Sequence, residues 1–239
     1  MPTAIVTGAS RGLGEAVAQG LAGEGWSLVV DARGAEALEA VAHRLEQLAP
    51  GRVRALPGDI TDPRHVAALA DAAGEMGDLE LVVNNASSLG VAPLPPLTVY
   101  PTDRLSELLA TNVIAPLALI QAVEAQLRRA ARPRVMNITS DAAVEAYPGW
   151  GGYGASKAAL EHLGAVLAAE EPSWAVWTVD PGDLRTQMHQ DAFPGEDISD
   201  RPEPSTVVAS LLRLVGSAAR SGRYRLADLR AGLREEVSP

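Results

Sequence analysis

Short apolar runs recur along this chain, each followed by a stretch with apolar residues at helical spacing. Nothing else in the sequence restricts the fold as much. Ala4-Ile5-Val6 breaks into glycines, and residues 12–24 continue with a helical pattern. Trp26 to Val30 leads to an amphipathic stretch at 35–48, and Val53 to Leu56 to one at 63–75. Leu79 to Val83, Val135 to Ile138 and Ala175 to Val179 lead in turn to helical patterns at 103–130, 153–170 and 204–219, with Arg223 to Ala227 as a last strand. Strands that alternate with helices predict an α/β fold: a doubly wound parallel sheet of about seven strands, covered by helices on both faces and crossed over right-handedly. No repeat, linker or low-complexity tract divides residues 1–239, which read as one domain. The Pro/Gly/acid-rich stretch at 187–204 is the one long irregular segment, and it is expected to be a lid over substrate.

Composition narrows the function. The chain is 47% hydrophobic but only 4% aromatic, with one Phe, so the core is built from Ala, Val, Leu and Ile. With no cysteine there is no disulfide, cysteine nucleophile, thiolate metal site or iron–sulfur cluster. A formal charge of −10 has the wrong sign for neutralising nucleic-acid phosphates or docking on anionic lipid. No apolar run approaches ~18 residues, and Met1-Pro2-Thr3 runs straight into a strand pattern. The expectation is a cytoplasmic protein without membrane span or leader. Of the twenty basic residues nineteen are Arg, and the one Lys is Lys157. A lone ammonium among guanidiniums marks either chance or chemistry that needs a compact three-donor charge.

The first strand runs into Thr7-Gly8-Ala9-Ser10-Arg11-Gly12-Leu13-Gly14. Glycines here let the backbone approach a pyrophosphate, while the helix that follows offers free N–H groups and the positive end of its dipole. A glycine turn that merely packs helix on sheet has the same spacing. Tyr153 and Lys157, four apart in a helical pattern, share one face. A phenol's unperturbed pKa of ~10 is too high for easy proton exchange at neutral pH, and a neighbouring ammonium favours the phenolate. Ser140 follows a strand at the sheet edge where open α/β sheets bind ligands, and its hydroxyl could orient a carbonyl oxygen. Pro116 lies four residues after Asn112 in the same helical pattern and has no N–H, so the Asn112 carbonyl loses its helical bond. That carbonyl either holds a water or is simply solvated at a kink. The second strand ends at Val30-Asp31-Ala32-Arg33, where an acid would select NAD and an arginine the 2′-phosphate of NADP.

Taken together, Thr7-Gly8-x-x-x-Gly12-x-Gly14, Asn84-Asn85-Ala86, Asn112, Ser140, Tyr153-x-x-x-Lys157 and Pro181-Gly182-x-x-x-Thr186 resemble the successive signatures of the short-chain dehydrogenase/reductase family, in order and over the whole chain. The resemblance implies a Rossmann-type domain and a nicotinamide cofactor. It also implies a tetrad in which Tyr153 gives the proton, Ser140 holds the substrate oxygen, Lys157 binds the ribose and lowers the phenol, and Asn112 holds a relay water. Gly8, Ser10, Arg11, Gly12, Leu13 and Gly14 would cradle the cofactor, with Asp59 and Ile60 at the adenine and Asn85, Ala86, Tyr153, Lys157, Pro181, Gly182 and Thr186 along the rest. Aligned to the family, Ala32 takes the place of the selecting acid and Arg33 that of the phosphate-binding arginine. With Arg11 nearby, NADP is expected over NAD.

Three positions depart from the family pattern. Ser87 stands where glycine is usual, Asp180 stands where Asn is frequent, and Tyr147-Pro148-Gly149-Trp150 either lines the substrate pocket or packs under the lid. His43, His65 and His162 lack metal spacing and no metal is expected. His189, in the expected lid near Met188, Asp191 and Phe193, either touches substrate or, as the favoured reading, is a solvated loop residue; Asp197, Asp200 and Glu203 read as a solvated acidic run that could repel anionic substrates. The expected activity is hydride transfer between NADP(H) and a small carbonyl or secondary alcohol; the alternative is an idle dinucleotide-binding sensor or scaffold. The epimerase/dehydratase branch is disfavoured by length. The helices at 103–130 and 153–170 resemble those through which the family pairs its subunits, and the small residues Ala158, Ala159, Ala165, Ala168 and Ala169 would let backbones approach closely, so a homodimer or homotetramer is expected.

Overall fold

The fold was read from a computed structural model, which describes residues 1–229. The apolar runs become β1 (Pro2–Val6), β2 (Ser27–Ala32), β3 (Val53–Pro57), β4 (Asp78–Asn84), β5 (Arg134–Ile138), β6 (Ala175–Asp180) and β7 (Gly222–Arg225). They form one sheet in the order β3-β2-β1-β4-β5-β6-β7, every neighbouring pair parallel. Successive strand side chains face opposite sides, and β1 shows the consequence. Ala4 and Val6 enter one core layer and Ile5 the other, all fully buried.

The helices are α1 (Gly12–Gly23), α2 (Ala35–Leu48), α3 (Pro63–Met76), α4 (Thr102–Leu109), α5 (Ala115–Arg129), α6 (Gly151–Glu170), α7 (Gln187–Ala192) and α8 (Ser205–Gly216). Leu21 of α1, Leu38 and Leu45 of α2 and Leu211 of α8 cover one face of the sheet. Leu69 of α3 with Leu119, Val123 and Leu127 of α5 cover the other. Each such burial contributes on the order of 1.5–3 kcal/mol. The resulting architecture is a Rossmann-type α/β domain. Strand order reverses between β1 and β4, which places a crevice at the carboxyl ends of these strands.

The structure refines several boundaries. The expected helix at 103–130 is broken by a turn of π-helix, Ala110–Ile114, because Pro116 has no N–H for the Asn112 carbonyl. The stretch Thr102–Arg129 holds an 18-residue window with a mean hydropathy of 1.6 and is by length and composition able to cross a membrane. It is a core helix nonetheless, since its apolar residues pack against β4 and α3. Helix α6 starts at Gly151, ahead of the expected 153. Strand β7 ends at Arg225, and 226–229 are helical where a strand through Ala227 was expected. Residues 187–204 are not wholly irregular: Thr186 caps the short α7 by accepting from His189 N at 3.2 Å.

Candidate active site

The loop after β1 is held by side chains from two other strands' ends. Thr7 Oγ1 accepts from the backbone N–H groups of Asn85 and Ala86, both at 3.0 Å. Asn85 Nδ2 donates to the carbonyls of Thr7 at 2.8 Å and Gly8 at 3.1 Å. Gly8 has φ +65°, and Gly14 leaves no room for a side chain, since a Cβ there would lie 2.4 Å from Asn85 Nδ2 and 2.5 Å from the Gly8 oxygen. No side chain caps α1, whose residues Gly12 and Leu13 line a cavity of about 1190 Å³. The first-turn N–H groups of this helix therefore suit an anionic group.

Asp31 takes no position open to a ribose. Its Oδ1 accepts from Gly8 N at 2.9 Å, its Oδ2 lies 3.2 Å from His65 Nε2, and it is 1% exposed. It clamps the glycine loop to β2 and α3 instead, and His65 is the buried partner of a carboxylate. Arg33 and Arg11 both line the cavity, are exposed, and have no hydrogen bond or ion pair among the described residues. Asp59, beyond β3, also lines the cavity. Hydrogen bonds from Thr61, backbone first and then hydroxyl, hold its carboxyl below the usual range, and the charges of Arg33 and His65 add to this. Ile60 is buried beside it.

At the other end, Ser140, Tyr153, Lys157 and Asn112 come from β5, α6 and the π-turn. Lys157 is 2% exposed, donates from Nζ to the Ile138 carbonyl at 2.9 Å, and lies 5.5 Å from the centroid of the Tyr153 ring. Burial lowers its pKa to about 8. Burial pushes the Tyr153 phenol up, a hydrogen bond with Ser87 pulls it down, and the charges of Asp141 and Asp180 push it further up. The expected lowering by Lys157 is thus not what the protein alone produces: desolvation is larger, and the ammonium points to a carbonyl. Ser140 Oγ donates to Asp141 Oδ1 at 2.9 Å, and the other oxygen of Asp141 accepts from Tyr147 at 3.0 Å. The Asn112 side chain is 1% exposed and fully bonded to Ser87, Ser88 and Ser156.

Trp150 packs edge-on against Tyr153 at 5.7 Å and at a tilt against Phe193 at 5.8 Å, and it lines the cavity. His189 is not a solvated loop residue: it sits on α7 with a 10% exposed side chain, 4.9 Å from Phe193 and facing the cavity. Thr186 lies beside the glycine loop, its Cγ2 3.4 Å from where a Gly12 Cβ would be. Pro181 and Gly182 line the same cavity.

Asp180 now has an account. Its Oδ1 accepts from Gly182 N at 3.0 Å, shaping the turn, and its Oδ2 accepts from Arg223 at 3.1 Å. Arg223 also donates to Glu161 at 3.0 Å and to the Ser140 carbonyl at 3.3 Å, while Thr139 donates to Glu161 at 2.7 Å. This network behind the serine escapes sequence reading, because its members lie on four separate elements. Nothing in the local sequence around Thr139, Glu161, Asp180 or Arg223 links them.

A family model for short chain dehydrogenase matches residues 2–197. The chain belongs to the short-chain dehydrogenase family. A rhamnolipids biosynthesis 3-oxoacyl-(acyl-carrier-protein) reductase of Pseudomonas aeruginosa is 39% identical over 174 residues, a match that spans 70% of this chain and 66% of that protein. A sepiapterin reductase of Xenopus laevis is 34% identical over 198 residues, spanning 78% of this chain and 74% of the other. A short chain dehydrogenase from Shigella flexneri 2a str. 301, solved with NADP, superposes with a TM-score of 0.87 at 26% identity, covering 94% of this chain and 95% of that one. This short-chain dehydrogenase is accordingly an NAD(P)-dependent oxidoreductase acting on a small molecule.

Proposed function

We propose that this chain transfers hydride between NADP(H) and the carbonyl or secondary alcohol of a small molecule, with Tyr153 as acid and base. One observation carries the reading. Tyr153 and Lys157 are buried at one end of a cavity whose other end carries an uncapped helix N-terminus and two exposed guanidiniums that make no hydrogen bond or ion pair among the described residues.

The residues present fit a phosphorylated dinucleotide. The N–H groups around Ser10, Gly12 and Leu13 suit its pyrophosphate, and Arg33 with Arg11 suits a 2′-phosphate. Asp59 and Ile60 suit the adenine, while Ala86, Pro181, Gly182 and Thr186 line the way to the catalytic end. When bound, the dinucleotide supplies or accepts the hydride. Ser140 turns its hydroxyl from Asp141 to the substrate oxygen and orients it. Tyr153 delivers a proton to that oxygen in reduction and removes it in oxidation. Lys157 holds a positive charge near the phenolate and binds ribose hydroxyls. The Asn112 carbonyl, freed by Pro116, holds a water that resupplies the proton. Residues 187–204 act as the lid, with Met188, His189 and Phe193 facing substrate.

The names of the two reductases above support carbonyl reduction, and the NADP-bound Shigella protein supports the cofactor. A panel of ketones and aldehydes with NADPH, followed at the reduced-nicotinamide absorbance, tests the reading. Turnover of at least one compound is expected; tight NADPH binding with no turnover across the panel would favour a sensor instead. The same reading includes a cytoplasmic homodimer or homotetramer. Exposed Ile114, Leu117, Val166, Ala165 and Ala169 on and beside α5 and α6 support self-association. Light scattering at micromolar concentration should give twice or four times the monomer mass, and a monomer mass retires the idea.

A further inference from the structure

Aromatic side chains are scarce in this chain, with four Trp, four Tyr and one Phe in 239 residues. Three of the tryptophans, Trp26, Trp174 and Trp177, lie in the core. Tyr147, Trp150, Tyr153 and the single Phe193 instead line the cavity, and His189 lines it with them. Since the core is otherwise built from Ala, Val, Leu and Ile, this concentration of rings belongs to the site and not to the composition. The rings form a row that starts at the proposed acid/base. Trp150 stands edge-on to Tyr153 at 5.7 Å and tilted to Phe193 at 5.8 Å, and Phe193 lies 4.9 Å from His189. The planes meet at 71°, 45° and 40°, so no pair is stacked and the ring faces are not spent on one another. Trp150 and Phe193 are only half-buried.

The two apolar walls sit on different elements. Gly154 N donates to the Trp150 carbonyl at 2.7 Å, so the start of α6 holds this ring in register with Tyr153. Phe193 follows α7; its N–H donates to the His189 carbonyl at 3.1 Å and its carbonyl accepts from Gln190 Nε2 at 3.0 Å. We propose that the substrate is an aryl ketone, whose carbonyl meets Tyr153 and whose flat ring is held between Trp150 and Phe193. A flat ring makes offset or edge-to-face contacts with such walls, and these contribute beyond the apolar area they bury. A saturated ring of the same size is more apolar and gains from burial alone. The two ring types therefore separate a π-lined site from a merely apolar one.

This inference rests on the proposed function, and its test reads binding without turnover. Tyr153→Phe keeps the ring and lacks the hydroxyl, so its NADPH complex is titrated with acetophenone and with cyclohexyl methyl ketone, and the dissociation constants are read by NMR. Acetophenone should bind at least about fivefold more tightly. In Trp150→Leu and in Phe193→Leu, each added to Tyr153→Phe and checked for NADPH binding, that preference should fall to about twofold or less. Equal or tighter binding of the saturated ketone overturns the proposal, as does binding of neither ketone or a preference that either leucine variant keeps in full. Turnover by the parent with NADPH is read separately. If no carbonyl compound is reduced while the preference holds, the proposed function fails and the ring site stands; if both ketones are reduced but bound equally, the ring site fails and the proposed function stands.

Discussion

The two ends of the cavity are built by opposite means. Around the glycine loop the cavity presents backbone N–H donors and the long exposed side chains of Arg11 and Arg33, which make no hydrogen bond or ion pair among the described residues. Around Tyr153 they are side chains, with Tyr153 7%, Lys157 2% and Asn112 1% exposed, and Lys157 and Asn112 are anchored by hydrogen bonds to other elements. Exposed guanidiniums pay little to be charged and bind through what they meet. Burial lowers the Lys157 ammonium towards neutrality and raises the Tyr153 phenol away from it, so in the protein alone only the ammonium is moved towards the range that acid/base work near neutrality uses.

The largest effect should come from breaking the buried end alone. Tyr153→Phe removes one hydroxyl and is expected to cost ~10²–10⁴-fold in turnover while NADPH affinity and melting temperature stay close to the parent's. Lys157→Arg should fall in or beyond the same range, because a wide planar fork replaces a compact head in a closed site. Activity within a few-fold of the parent in either variant would mean that the two ends do not divide the labour in this way. A smaller effect should come from the exposed end. Arg33→Ala is expected to weaken NADPH binding at least ~10-fold, since a charge-assisted hydrogen bond to phosphate is worth ~1.5–3 kcal/mol, and to leave NADH binding nearly unchanged. Equal losses for both dinucleotides, read by titration calorimetry, would move the 2′-phosphate away from Arg33.

The smallest effect tests burial itself. Lys157 titrates at about 8 in the folded protein against an ordinary 10.5. Below 8 both states carry the proton, and between the two values the unfolded chain binds more of it, so this group makes stability rise with pH across that window. In dinucleotide-free protein the melting temperature of the parent should therefore gain on that of Lys157→Met from pH 8 towards 10. A constant difference between the two would show that the ammonium is solvated in the fold.

Much of the exposed end was legible because it is contiguous. A glycine loop, its helix start and an arginine one strand away are local patterns, and local backbone geometry dictates them. The buried end was legible in its identities, helped by a single lysine four residues from a tyrosine, but not in its electrostatics. That Lys157 points to the Ile138 carbonyl depends on how the fold brings α6 against the end of β5. Asp31 shows the same limit at the other end: its place at a strand end suggested a ribose, and its bond to Gly8 N made it a clamp. The short α7 was missed because six residues carry too little periodicity, and with it the burial of His189.

By itself, then, the order of residues determined the alternation of strand and helix, the glycine cradle, the proline that frees the Asn112 carbonyl and the family. These are consequences of backbone sterics and of apolar spacing, which act within a few residues of each other. Tertiary structure alone decided that Asp31 pairs with His65, that Arg223 braces Asp180, Glu161 and the Ser140 carbonyl, and that Ser87 meets Asn112. Each of these joins groups from separate elements, and their charge and hydrogen-bonding state follow from the burial and the partners that folding provides.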